Sequence, residues 1–407
     1  MTALAKLRRR DLFGRITGFL RAAKLANPPQ SPVVVFDREG ADVIERMVLP
    51  GTPHAVFDAR GEVYYLSPSV LGRAAISIGT VVRALRPGEL PPGVRGFREV
   101  IWRAYLLACL DLMRPVVVIT FIDNSVAFQW ASRNVRGVAF IAVQNGSRLR
   151  PSVHEWLPKR PRAGSVISMP HFFCFSQYEP ELYARFGHDV DNFHVVGSIR
   201  ADYYRSAIAP RRVSRGAYDL CIVSEWEASL FRPGTPFPKV GAGLSQLYRD
   251  ISRFIGDNRL AIAVALRSQD PAEAAFFKQL LGVGAELIPS NMAEMSTYAA
   301  MDDSRVIVAL NSTAAREAFG WGRAVLFCNF TGDDGYRPPR ADPLWLVESD
   351  DYAVFASSLS RLLNMPTGEF AECSRSVAPY MMRHDPQHPA HEAVAAMVRA
   401  SIAGQAK

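Results

Sequence analysis

Five short segments carry the polar residues from which a reaction could be built: Asp123-Asn124-Ser125, Gln144-Asn145-Gly146-Ser147-Arg148, Ser224-Glu225-Trp226-Glu227, Arg267-Ser268-Gln269 and Asn311-Ser312-Thr313. Their carboxylates are of the type that serves as base or nucleophile. The last segment is the most informative. It precedes Ala314-Ala315-Arg316-Glu317-Ala318-Phe319-Gly320, which reads as a helix start, so free backbone N–H groups and roughly half a positive charge of helix dipole can hold a phosphate. Glu317, a turn further on, is placed to accept hydrogen bonds from ribose hydroxyls. Ser312 or Thr313 capping the helix is the simpler alternative, as is Asp123 capping the helix after its own segment. For Glu225 and Glu227 the alternative is that one is a solvated loop acid. Gly197-Ser198-Ile199-Arg200 is either a phosphate nest or a turn entering a hinge.

The elements that must position these segments are short apolar runs separated by helical patterns. Val33–Phe36, Val116–Ile122, Val138–Val143, Phe172–Phe175, Tyr218–Val223, Ala261–Leu266, Val306–Leu310 and Ala324–Phe327 have the continuous β-branched character of parallel strands buried on both faces, the mark of an α/β fold. Each polar segment directly follows one of them, where ligands sit in open α/β sheets. A Pro/Arg/Gly-rich stretch from Tyr203 to Gly216 divides the chain. Four segments are expected: a basic amphipathic helix over 1–27, a Rossmann-like domain over 28–210, a second over 211–380, and a tail or helix over 381–407. The two domains then face one another across a cleft. The Pro/Gly-rich Arg232–Gly243 stretch reads as a loop after a strand end, either a lid or a plain surface connection.

Composition narrows the classes further. The 407 residues are 49% apolar and 21% charged, globular values with material for two or three domains. The net charge of +8 is concentrated: residues 1–25 hold seven cations against Asp11 alone, leaving the remaining 382 residues near +2. A basic body that tracks nucleic acid is thereby excluded. Leu4, Leu7, Leu12, Ile16, Phe19 and Leu20 recur there at helical spacing, which suits an anionic membrane surface; packing on the protein is the alternative. No run approaches the roughly 20 apolar residues of a membrane span, and the interrupting cations exclude a signal peptide. The five scattered cysteines read as reduced core residues of a cytoplasmic protein. His384, His388 and His391 are interrupted by Pro386 and Pro389 and read as a solvated tail, so no metal site is expected. The absence of GxGxxG after a strand, of GxxxxGK[ST] and of GxSxG disfavours dinucleotide oxidoreductases, P-loop ATPases and α/β-hydrolases.

A resemblance joins these residues. Ile122-Asp123-Asn124, Val143 to Arg148, Phe173-Cys174-Phe175-Ser176, Gly187-His188, Val196 to Arg200 and Tyr218 to Ser224, in that order, resemble bacterial surface-carbohydrate biosynthesis proteins of the GT-B glycosyltransferase type. They look related to the retaining β-Kdo transferases of O-antigen and capsule assembly. Asn311-Ser312-Thr313 with Glu317 and Gly320 is similar to the Ser-Ser/Thr donor-phosphate motif of those enzymes. The resemblance covers about residues 115–330.

It implies a metal-independent GT-B enzyme whose C-terminal half holds a nucleotide sugar, favoured as CMP-Kdo, and whose N-terminal half holds a glycan or glycolipid acceptor at the inner face of the inner membrane. No cofactor beyond that donor substrate is implied. Relatives that use CMP carry a His-Pro pair in the C-terminal domain, whereas this chain has no histidine between His194 and His384; Arg267 is the charge available there instead. The donor would be bound by Ser224, Arg267, Asn311, Ser312, Thr313 and Glu317. Glu225, Glu227 and Asp123 are the candidate nucleophile or base. Asn124, Gln144, Asn145, Gly146 and Arg148 suit acceptor hydroxyls or a sugar carboxylate, and Gly197, Ser198 and Arg200 form the hinge. A CDP-polyol phosphotransferase and a non-catalytic sugar-binding subunit are the alternatives.

Overall fold

The computed structural model describes residues 22–60, 63–85, 93–148, 168–213 and 216–405. The basic segment of residues 1–21 lies outside them. Ala23–Lys24, at the end of the expected N-terminal helix, instead pair in parallel with Tyr64–Tyr65 as short strands.

Two parallel six-stranded sheets make up the molecule. The first contains β1 (Val33–Phe36), β2 (Ala55–Phe57), β3 (Val117–Thr120), β4 (Ala139–Val143), β5 (Ser168–Cys174) and β6 (Asp189–Val195), in the spatial order β2-β1-β3-β4-β5-β6. The second contains β7 (Tyr218–Val223), β8 (Ile262–Ala265), β9 (Ala285–Ile288), β10 (Ser304–Ala309), β11 (Ala324–Cys328) and β12 (Leu346–Val347), ordered β9-β8-β7-β10-β11-β12. The second order is that of the doubly wound Rossmann sheet, and it reverses between β7 and β10. The central strands are made of Val, Ile, Leu, Ala and Phe because helices cover both faces; every residue of β1, β3, β8 and the last four of β7 is buried. Registers such as Leu220 opposite Val306 and Ile222 opposite Val264 and Val308 stack branched aliphatic side chains across neighbours. This is the GT-B arrangement of two Rossmann-like domains.

The chain passes between the sheets through the helix Ile199–Tyr203 and the turns that follow it. One apolar cluster runs through this crossing, joining Val33, Ile119 and Ile199 to Leu220, Ile307 and Phe319. The segment expected as a tail or helix contains the helix Ala390–Gln405, which returns to pack on Ile199–Tyr203 and β3 with Val394 and Val398 buried. The Arg232–Gly243 stretch is not all loop, because a long helix begins at Pro238. Its Gly241 and Gly243 are there for close packing: a Cβ on Gly241 would lie 2.2 Å from the Leu230 carbonyl oxygen, and one on Gly243 3.1 Å from the backbone of Phe330 and Thr331. Cys109, Cys174, Cys221 and Cys328 are buried and Cys373 is exposed. Among the described residues no helix is long and apolar enough to cross a membrane, and no cluster of three or more His, Cys, Asp or Glu could hold a metal.

Candidate functional site

The carboxyl ends of β7 and β10 meet where the order of the second sheet reverses, the position at which open α/β sheets bind ligands. Glu225, two residues beyond β7, accepts the backbone N–H of Leu310 at 2.8 Å and that of Asn311 at 3.0 Å. Burial pushes its carboxyl up to about 7, even though those two amides and the nearby Arg267 and Arg316 favour the charged form. Ser312 occupies the cap position of the helix Thr313–Gly320 without a side-chain capping bond. Thr313 Oγ1 accepts the Ser147 N–H at 2.9 Å, reaching the other half of the molecule. Capping therefore does not account for either hydroxyl.

Arg316 is the residue that sequence reasoning missed. It lies one turn into this helix, only 1% exposed, and its guanidinium folds back to donate to Asn311 Oδ1 at 2.9 Å. Its Nε and the Asn311 Nδ2 are buried without a partner. Burial lowers the Arg316 pKa, opposed by Tyr178, Glu179 and Glu225. A charged donor with spare N–H groups at a helix start is a ready anion site. Two alanines precede it, and in the sequence the adjacent Glu317 drew the attention instead.

At the ends of β3, β4 and β5 the polar residues bind one another. Asp123 is fully buried; Arg148 Nε donates to its Oδ2 at 2.7 Å and Arg148 Nη2 to its Oδ1, while the Asn145 N–H reaches the same Oδ1 at 3.3 Å. Burial opposes charge on Arg148, yet Asp123 holds the guanidinium above its ordinary range. A carboxylate sealed in this way is not presented to a substrate, so Asp123 is a loop clamp rather than a nucleophile or base. Arg148 is likewise spent on Asp123 and on Asn145 Oδ1. Gln144 donates to Gly146 O and Glu179 Oε1 and accepts from the Phe175 N–H, which uses both N–H groups and engages the oxygen. Expected to hold acceptor hydroxyls, it instead spaces the ends of β4 and β5. Glu179, raised by burial against the pull of Gln144 and Ser176, accepts the Ser176 N–H and Oγ; the Ser-x-x-Glu spacing of a capping box was its legible signal. Asn124 and Asn145 keep partial exposure beside these clamps.

Glu317 also departs from expectation. It is 1% exposed, with Ser198 Oγ donating to Oε1 and the Tyr298 hydroxyl to Oε2 at 2.6 Å. Both oxygens are thus engaged by protein hydroxyls, and the residue ties the second half to the hinge segment. Arg200 donates to Asn145 O at 2.9 Å and stands over the Phe121 ring, with Nε buried and unpartnered. Gly197 has φ +99°, and a Cβ there would lie 2.2 Å from the Arg383 carbonyl oxygen.

On the outer side, Glu227 and Arg267 form an exposed ion pair at 3.2 Å. Ser224 donates to Glu273, a buried acid that also accepts the N–H groups of Arg267 and Ser268 and so ties the ends of β7 and β8 together. His384 is not solvated: its Nδ1 lies 2.6 Å from Asp202 Oδ1, whose other oxygen accepts the Ala390 N–H. The dyad borders a cavity of about 210 Å³ with Arg205 and Ser206.

No protein-family model matches this chain, and no curated protein matches it in sequence. Solved structures do match in fold. A Staphylococcus aureus MnaA structure holding UDP shares 14% identity at a TM-score of 0.55, over 91% of this chain and 96% of that one. A putative UDP-N-acetylglucosamine 2-epimerase from Listeria monocytogenes matches at 14% and 0.54 over 91% and 96%. The UDP-GlcNAc 2-epimerase of Neisseria meningitidis, bound to UDP-GlcNAc, matches at 12% and 0.52 over 91% and 99%. At these identities the likeness is one of fold.

Proposed function

We propose that this chain is a glycosyltransferase of GT-B type that takes a nucleotide-activated sugar at the carboxyl ends of β7 and β10 and a glycan or glycolipid acceptor at those of β3 to β5. The observation that carries this reading is the Glu225–Asn311–Arg316 cluster. It joins a carboxyl group titrating near neutrality to a buried guanidinium with spare N–H groups, at the point where the sheet order reverses. The Arg316 Nε, the Asn311 Nδ2 and the Ser312 hydroxyl would face the donor phosphate, with no metal required. They would stabilise the charge that grows as the bond between the anomeric carbon and the phosphate oxygen breaks. Glu225 is the remaining candidate to take the proton of the acceptor hydroxyl as its oxygen bonds that carbon, or to attack the carbon itself. Glu227 and Arg267, at the rim, suit contact with the outer part of the donor.

The resemblance in sequence favours CMP-Kdo as donor and a surface polysaccharide or lipid-linked glycan at the inner membrane as acceptor. The S. aureus neighbour holds UDP and the N. meningitidis one UDP-GlcNAc, which favours a UDP-sugar and supports a second reading, an epimerase acting on the sugar without transferring it. Thermal shift against CMP, CDP, UDP, GDP and ADP, with and without magnesium, separates these, since a ligand raises the melting temperature only of a native state that binds it. Stabilisation by CMP alone and independent of magnesium supports the Kdo reading. Stabilisation by UDP, with sugar inversion and no acceptor product, supports the epimerase. No shift with any nucleotide overturns both.

A further inference from the structure

We infer that the helical hairpin of the first half is a docking face for an anionic lipid surface. Seven of the twelve large apolar side chains that stand exposed among the described residues lie on just two helices, Pro68–Ala84 and Val94–Met113, which pack against each other. In the first, Leu71, Ile78 and Val82 recur at the seven- and four-residue steps that keep one stripe of a helix. In the second, Val94, Phe97 and Ile101 do so at steps of three and four. These are not marginal exposures: Leu71 is 53% exposed, Val94 76% and Phe97 66%. Exposed apolar stripes on two helices that pack together mark an interaction surface.

Charge selects the occupant. Among the described residues of the two helices the only acids are Glu99 and Asp111, and both are neutralised, Glu99 by Arg103 at 3.0 Å and Asp111 by Arg73. Arg83, Arg95 and Arg98 have no acidic partner among the described residues. Apolar stripes on helices that also carry arginines without an acidic partner among the described residues match the boundary between acyl chains and anionic headgroups. The path of the chain agrees. Lys24 O accepts the Leu66 N–H at 2.8 Å, and Ser67, which caps the first of the two helices, donates to Asn27. The described chain thus begins, at Ala22, beside the start of the first helix of this hairpin.

The test is flotation of the full chain with vesicles of phosphatidylcholine alone or mixed with phosphatidylglycerol, comparing the wild type with Leu71→Glu/Phe97→Glu and, should that pair fail to fold, with Val94→Ser/Ile101→Ser. The expected result is binding to the anionic vesicles only, reduced at least about tenfold in the variant with the melting temperature unchanged. Undiminished binding of a folded variant, or no binding by the wild type, overturns the assignment. A wild-type dimer that dissociates in the variant without any vesicle binding overturns it in favour of a second copy of this chain on the same face.

Discussion

The Glu225 carboxylate grips the Asn311 backbone N–H with both oxygens, at 3.0 and 3.2 Å, so the group proposed for chemistry also bolts β10 to β7. Its carboxyl rises from an ordinary 4.5 to about 7 through burial. An acid with a raised native pKa holds its proton more tightly folded than unfolded. Its contribution to stability is therefore present at low pH and is lost as pH rises through about 4.5 to about 7. We expect the melting temperature to fall across that window by an amount corresponding to about 1–3 kcal/mol, and the fall to shrink in Glu225→Gln. Equal pH dependence in the two proteins would place the titration elsewhere.

Arg316 is the more discriminating substitution for function. Arg316→Met removes a buried cation whose Nε has no partner and takes one hydrogen bond from Asn311 Oδ1, a loss of about 1–3 kcal/mol. The expected outcome is a melting temperature within a few degrees of wild type together with a loss of nucleotide affinity of at least about tenfold, read by titration calorimetry with CMP and with UDP. Unchanged affinity for whichever nucleotide binds would reduce Arg316 to a packing role.

Asp123 and Arg148 belong to stability. Removing one partner of a buried pair leaves the other charge uncompensated, so Asp123→Asn is expected to cost about 3–5 kcal/mol, whereas the apolar pair Asp123→Leu/Arg148→Met should recover much of that. Urea midpoints of the three proteins check this. A stable, inactive Asp123→Asn would restore the acid to the chemistry.

The contrast between these residues explains what was legible. The strands at the centre of each sheet were readable because burial on both faces demands uninterrupted β-branched runs; Tyr218–Val223 was read to the residue. Edge strands escaped: Asp189–Val195 is mostly exposed or half-buried and carries Asp189, Asp191 and Asn192, so it lacks the apolar run that marks a buried strand. The site was legible in outline, because a polar segment after a strand must emerge at the carboxyl edge. It was not legible in role. Whether Asp123, Gln144 or Glu317 faces a ligand or a neighbour depends on contacts made across 20 to 120 positions, such as Ser198 with Glu317, and no local pattern records them.

The last prediction concerns how the halves are held. Gly197 combines a left-handed backbone with a carbonyl oxygen 2.2 Å from where a Cβ would stand, whereas Gly187, at φ +66°, has open space around it. Gly187→Ala should therefore cost only the backbone term, about 1 kcal/mol. Gly197→Ala must also push away the strap at Arg383, whose N–H bonds to Phe175 O and whose guanidinium bonds to Val195 O. Its expected cost is above about 2 kcal/mol. Moving that strap disturbs Ser198, and through it Glu317 on the other side of the seam, so nucleotide affinity should weaken in Gly197→Ala and not in Gly187→Ala. Comparable urea midpoints and affinities for the two variants would show that the strap yields freely and that the seam does not depend on it.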